Sequence, residues 1–206
     1  MLHPEDVPST MRAFAVVVLA IGISSPIAAA TIDARVTDAR GNGVPEAVVY
    51  AIPAGRTLPL AKRTAVMDQK NRMFIPHVLP VQVGTSVRFP NSDDIRHQVY
   101  SFSPAKTFQL PLYAGTPASP LLFDKAGVVT VGCNIHDQMN AFIIVLETPY
   151  FEKTANDGRA SLSDVDGGRY TLHVWYPDMR TEPPPQSVTL KGEERIAVTF
   201  VGHGRS

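Results

Sequence analysis

The residues richest in chemistry stand close together. The run Gly132-Cys133-Asn134-Ile135-His136-Asp137-Gln138-Met139 sets a thiol, an imidazole and a thioether at Cys-x2-His-x2-Met spacing between two apolar stretches. A tight loop over this run brings all three donors to one point. Soft sulfur combined with imidazole selects copper, above all where a thioether can act as a weak axial donor. A fourth donor is needed, and His97 is the candidate, because it opens an expected strand just after the turn-forming run Asn91-Ser92-Asp93-Asp94. His97, His136 and a Cys133 thiolate would make a trigonal plane with Met139 above it.

Blander readings exist for each residue. A free cysteine is often a small buried hydrophobe, and a histidine on a turn is often only a surface group. With 6 His and 6 Met in 206 residues, meeting both at these offsets from the one cysteine by accident is on the order of one in a thousand. Zinc fits less well, since it prefers closed Cys/His/carboxylate sets. A binuclear copper centre would want a second cysteine, and the sequence has only one. A nucleophilic Cys133 paired with a histidine lacks a motif-placed orienting Asn or Asp. The chain is therefore expected not to be an enzyme, and to hold one mononuclear copper. His77 with Met67 and Met73 is read as packing and surface rather than a second capture site. Trp175 is read as core, and Asp93, Asp94 and Asp137 as turn formers.

The elements that must position these donors read as strands. Hydrophobic residues make up 44% of the chain, charged residues only 18%, and there are 18 prolines, which disfavours a disordered chain or a coiled coil. The formal net charge of zero removes the electrostatic footprint of a nucleic-acid binder. Strands are expected at 32–36 and 47–52 as a hairpin-like start, then at 78–83, 87–89, 97–102, 127–133 and 141–147, with a proline-interrupted loop through Pro120. Further short strands at 161–162, 170–175 and 195–201 follow Pro149, separated by Asn-Asp-Gly, Asp-Gly-Gly and Pro-Pro-Pro turns. The expected fold class is all-β, with β-sandwich architecture throughout.

An address precedes the fold. Arg12, the apolar run 13–23 and the small residues Ala28-Ala29-Ala30 read as a secretory signal peptide over 1–30, cleaved after Ala30. The apolar run is too short to span a bilayer, so no integral membrane span is expected after cleavage. Export to the periplasm leaves Cys133 unpaired in an oxidising compartment, which a metal bond would explain.

The segment from Met73 to Glu147 resembles a cupredoxin of the amicyanin/plastocyanin-like type. The match runs through Phe74-Ile-Pro, Val81-x-Val-Gly84-x-x-Val87-x-Phe89-x-Asn91-x-Asp93, His97, Phe108-x-Leu110-x-Leu112 and the Cys133/His136/Met139 run. The longer pattern is similar to the cupredoxins labelled methylamine utilization proteins. The resemblance implies a type 1 copper site with His97, Cys133, His136 and Met139 as ligands, carrying single electrons in the periplasm. It also implies redox partners such as a c-type cytochrome or a dehydrogenase. In one departure, Gln98 follows the first histidine where such proteins often have Asn. The flanks, 34–50 and 157–172, resemble the two ends of a carboxypeptidase regulatory-like (prealbumin-type) sandwich. The expected organisation is a signal peptide at 1–30, a first part of that sandwich at 31–60, a cupredoxin at 61–148 and the rest of the sandwich at 149–203. Two other functions stay open at this point: a copper-binding accessory or chaperone, and an adhesion or carbohydrate-binding module.

Overall fold

A computed structural model describes residues 29–117 and 119–202, so the signal segment lies almost wholly outside the described residues. Seventeen strands occur among the described residues and no helix. The first are β1 (Ala29–Thr37) and β2 (Val48–Pro53). Next come β3 (Thr64–Val66), β4 (Asp68–Lys70), β5 (Met73–Ile75), β6 (Val78–Gln82) and β7 (Thr85–Arg88). The donor-bearing stretch holds β8 (His97–Ser103), β9 (Lys106–Tyr113), β10 (Leu121–Phe123), β11 (Gly127–Gly132) and β12 (Asn140–Leu146). The last are β13 (Phe151–Lys153), β14 (Arg159–Asp166), β15 (Gly168–Trp175), β16 (Gln186–Leu190) and β17 (Arg195–Val201).

Strands β3 to β12 pair only among themselves, in a five-stranded sheet β6-β12-β11-β8-β9, a three-stranded sheet β10-β7-β3 and the hairpin β4-β5. Their inward residues, among them Val87, Phe89, Val99, Phe123, Val131 and Ile143, close one core. Strands β1, β2 and β13 to β17 form two other sheets, β14-β1-β17 and β13-β2-β15-β16, around a second core with Ile32, Val49, Leu162, Leu172 and Phe200. The chain thus leaves these two sheets after β2 and returns to them at β13. Glycine permits the closest crossing there. A Cβ on Gly43 would stand 2.2 Å from the Asp157 backbone, and one on Gly158 (φ +76°) 2.2 Å from the Val36 carbonyl oxygen.

Strand β12 joins the two halves. Its run Ala141-Phe-Ile-Ile-Val-Leu146 has no polar member, as a strand covered on both faces requires. Ala141, Ile143 and Val145 enter the core closed by β3 to β12. Ile144 and Leu146, with Phe142 beside them, pack instead against Val48, Tyr50, Phe151 and Trp175 of β2, β13 and β15. Trp175 therefore lies at this junction, 5.2 Å from the Phe142 ring, rather than in a sandwich core.

Several expectations change. β1 and β2 are not a hairpin: β1 pairs with β14 and β17, and β2 with β13 and β15, because the intervening turn carries the chain from one facing layer to the other. The proline-interrupted loop contains β9, which holds Pro111 at the outer edge of its sheet, where a missing N–H costs no ladder bond. β16, which follows Pro183-Pro184-Pro185, lies outside the expected strands and pairs with β15. Strand β1 includes Ala29 and Ala30, and Ala30 is fully buried opposite Val165.

Candidate metal centre

The period-2 alternation of β11 sends Val129 and Val131 into the core and carries Cys133 inward after them. Beyond Gly132, which pairs with Asn140, the chain reverses through 133–139. Two backbone bonds draw this loop tight: Cys133 N–H to the Met139 carbonyl (3.1 Å) and Met139 N–H to the His136 carbonyl (2.9 Å). Met139 is consequently buried in the same core as Cys133, while His136 is half-buried and Ile135 beside it is 48% exposed. On the neighbouring strand β8, His97, Val99 and Ser101 point inward, and His97 is completely buried.

Three of the four expected donors, His97, Cys133 and His136, converge in the fold. The ligand atoms of His97, Cys133 and His136 all lie within 4.8 Å of one another. The Cys133 Sγ stands 3.8 Å from the Nδ1 of His97 and 3.8 Å from the Nδ1 of His136. These separations test whether a metal fits. An ion about 2.3 Å from sulfur and about 2.0 Å from nitrogen would hold the two atoms about 3.5–3.7 Å apart. The observed spacings leave room for one ion between the sulfur and both nitrogens. Two imidazoles and one thiol, with a buried thioether at the end of the same loop, match the donor chemistry of a copper site better than that of structural zinc.

What holds His97 is not legible in its immediate neighbours. Its Nε2 lies 2.7 Å from Asp93 Oδ2, and Asp93 in turn accepts the backbone N–H groups of Asn71 (2.5 Å) and Arg72 (2.9 Å). Asn71 and Arg72 are consecutive left-handed residues, with φ of 55° and 56°, so the β4-β5 turn aims two successive amides at one carboxylate. Burial alone would raise the Asp93 carboxyl. The bonds from Arg72, His97 and Asn71 outweigh it and hold the group below the usual aspartate value. An ionised Asp93 accepts the Nε2–H and leaves the Nδ1 lone pair of His97 facing Cys133. Asp93 is thus more than a turn former.

A buried polar net supports the same loop. Asn91 Nδ2 donates to the carbonyls of Ile95 and Tyr113, both at 2.9 Å, and the Gln69 amide donates to the Pro90 carbonyl and the Tyr113 hydroxyl. Burial keeps Tyr113 protonated, pushing it up to about 12, and its hydroxyl donates to the Phe89 carbonyl. Asn91, Asp93 and Gln69 thereby tie the loop ahead of His97, and no side-chain hydrogen bond of Gln98 is found among the described residues. A signal for Asp93 exists in the sequence, since a carboxylate four residues before a candidate ligand histidine can reach its far nitrogen.

The other singled-out residues do not join this site. Met67 is buried in the core and Met73 is 53% exposed. His77 binds Glu46 at 2.7 Å, across the junction between the sandwiches.

No family model matches the chain, and no curated protein matches it. Solved structures do match part of it. A Cu-containing nitrite reductase from Thermus scotoductus SA-01 matches 47% of this chain at 24% identity and a TM-score of 0.39, and this chain covers 26% of that one. A purple cupredoxin from Nitrosopumilus maritimus matches 39% of this chain at 22% identity (TM-score 0.34), with 96% of its own length covered. A reduced-state structure of an amicyanin mutant matches 47% at 22% identity (TM-score 0.37), with 99% of its length covered. Among the described residues, no helix is long and apolar enough to cross a membrane.

Proposed function

We propose that this protein binds one mononuclear type 1 copper through His97, Cys133, His136 and Met139 and carries single electrons between redox partners in the periplasm. The observation that carries the reading is the convergence of two imidazole Nδ1 atoms on the Cys133 sulfur, each 3.8 Å from it, at the edge of an apolar core. Copper, when bound, supplies a one-electron couple. The residues supply a site that need not rearrange with its charge. His97 is locked by Asp93 and by strand β8, and Cys133 and Met139 are clamped at the two ends of one hydrogen-bonded loop. A preset geometry lowers the nuclear motion that accompanies electron transfer. His136 is the port, half-exposed beside Ile135, and a weak docking face of small area around it suits a transient carrier.

On this reading, residues 1–30 are the export signal, 61–148 the cupredoxin domain, and 31–60 with 149–203 a divided prealbumin-type sandwich that carries it. The partners are proteins such as a c-type cytochrome or a dehydrogenase. The chain carries electrons and does not transform a substrate. Reconstitution of the purified exported chain with Cu(II), followed by visible and EPR spectroscopy, tests this. An intense thiolate-to-copper absorption is expected, and His136→Ala should bleach it. A colourless wild type, or an unaltered spectrum in the variant, would sink the assignment.

A further inference from the structure

The outward face of the sheet β14-β1-β17 carries charge that the fold does not use. Strand alternation sends every second residue of these strands into the core and the rest to this face. Register then sets the outward residues in rows across the strands. Ser161, Asp33 and Ala197 stand in one row, and Arg159, Arg35 and Thr199 in the next, about 7 Å further along. Arg195 rises on the other side of the first row and donates to Asp33 Oδ2 (2.6 Å). The shorter side chains of the first row therefore floor a trough of about 590 Å³, with arginines along both of its sides.

The arginines are not balanced within the fold. Asp33 is already engaged, since it accepts from Ser161 Oγ (2.8 Å) and from Arg195, and these bonds hold its carboxyl below the ordinary value. Arg159 has the exposed Asp157 at 3.6 Å, a pair of little worth in solvent. The Arg35 guanidinium has no hydrogen bond or ion pair among the described residues. Yet Arg35 and Arg159 stand directly opposite on antiparallel strands, where like charges destabilise a sheet. A local rule broken without compensation marks a functional position, and the missing counter-charge is then a ligand's. No aromatic ring lines the trough and its one exposed apolar member is Ala197, so nothing there stacks on a neutral sugar or enters a bilayer. A chain lying across the strands gains no ladder bonds, the main source of affinity for an extended peptide. An anion without donors, such as polyphosphate, would be repelled by Asp33 on the floor. An occupant with a carboxylate for the arginines and hydroxyls for Asp33 meets both demands, and a uronic acid carries these groups side by side.

We propose that this trough binds an acidic polysaccharide of the polyuronate class, with a carboxylate clamped by Arg35 and Arg159 and ring hydroxyls donating to Asp33. The planar, forked guanidinium suits such a clamp. None of the expected copper donors lines the trough, so the proposal stands or falls independently of the electron-carrier reading.

The test titrates trigalacturonic acid into the full exported chain, without added metal, and follows backbone amide NMR shifts and the thermal midpoint. Saturable shifts at about millimolar ligand or below are expected at Asp33, Arg35, Arg159 and Ser161. The fully methyl-esterified trimer, which keeps the hydroxyls and loses the charge, should bind at least about fivefold more weakly. Tri-L-glutamate, which keeps carboxylates and has no ring hydroxyls, should also bind at least about fivefold more weakly. Arg35→Gln should weaken the acidic trimer by a similar factor, about fivefold, that shrinks with added salt. In the ligand-free chain the same variant should leave the thermal midpoint unchanged or raise it, since it removes a like-charge pair. A lowered midpoint would overturn the proposal, because Arg35 would then serve the fold. So would equal binding of the ester or of tri-L-glutamate, undiminished binding in Arg35→Gln, or no saturable binding of the acidic trimer.

Discussion

The two halves of the molecule bury different things. The sandwich of β1, β2 and β13 to β17 is filled with Ala, Val, Ile, Leu, Phe and Tyr, and a leading buried polar group, Thr154, accepts the Ala47 N–H and donates to the Val44 carbonyl. The metal-side half buries Gln69, Gln82, Asn91, His97 and Ser101 among its apolar residues. It also holds the consecutive left-handed residues Asn71 and Arg72. Polar burial and backbone strain cost stability unless the fold compensates for them. Left-handed non-glycine residues occur in both halves, Glu46, Asp164 and Asp178 in the other one, but the buried polar groups Gln69, Asn91 and His97 gather around the loop ahead of β8, while the other half meets this one through the Phe142/Ile144/Leu146 contact.

Breaking the support should leave the chemistry intact. Leu172→Ala, deep in the second core and fully buried, is expected to cost about 2–5 kcal/mol of stability. The visible spectrum of the folded copper form should be unchanged. Thermal unfolding read beside the absorption band checks this, and a lost band in still-folded protein would show that the two halves are not separable in this way.

Breaking the positioning net should do the reverse. Asp93→Asn keeps the size of the side chain but removes the ionised acceptor on His97. Copper affinity should fall by about 10–100-fold with a smaller loss of stability, as a competition titration against a chelator would read. Unchanged affinity would mean that strand β8 alone orients the imidazole.

The smallest effect is expected at the junction. Glu46 binds His77 at 2.7 Å and Lys153 at 3.4 Å. Burial alone would raise its carboxyl, but His77 and Lys153 hold it below the ordinary value. A lowered folded pKa gives stability that is fully present above the unfolded value of about 4.3 and is lost as pH falls through the folded one. The pair is partly exposed, so the contribution is small, under about 1 kcal/mol. Glu46→Gln should therefore flatten the acid limb of the stability profile slightly. An identical limb in wild type and variant would remove the clasp from the comparison.

Much of the metal-side half is legible in the sequence because its signals are local. Cys133, His136 and Met139 lie within one loop, and alternation along β11 already turns Cys133 inward. The unbroken apolar run of β12 announces cover on both faces, although not what supplies it. β9 and β16 escape a sequence reading because proline-rich stretches read as loops, and prolines are tolerated where a strand lies at an edge or is preceded by them. The hairpin expected for β1 and β2 fails because strand pairing across layers leaves no mark at the turn itself.

The sequence by itself determined the donor types, their short spacing in one loop, and the strand-forming pattern around them, since all of these depend on neighbours within a few residues. Only the tertiary structure decided that His97 comes to 3.8 Å from Cys133. It alone turned the Asn71-Arg72 amides onto Asp93 and laid Tyr100 against Gly132. Those juxtapositions join segments far apart in the chain, and their geometry is set by sheet register and core packing, which no local pattern encodes.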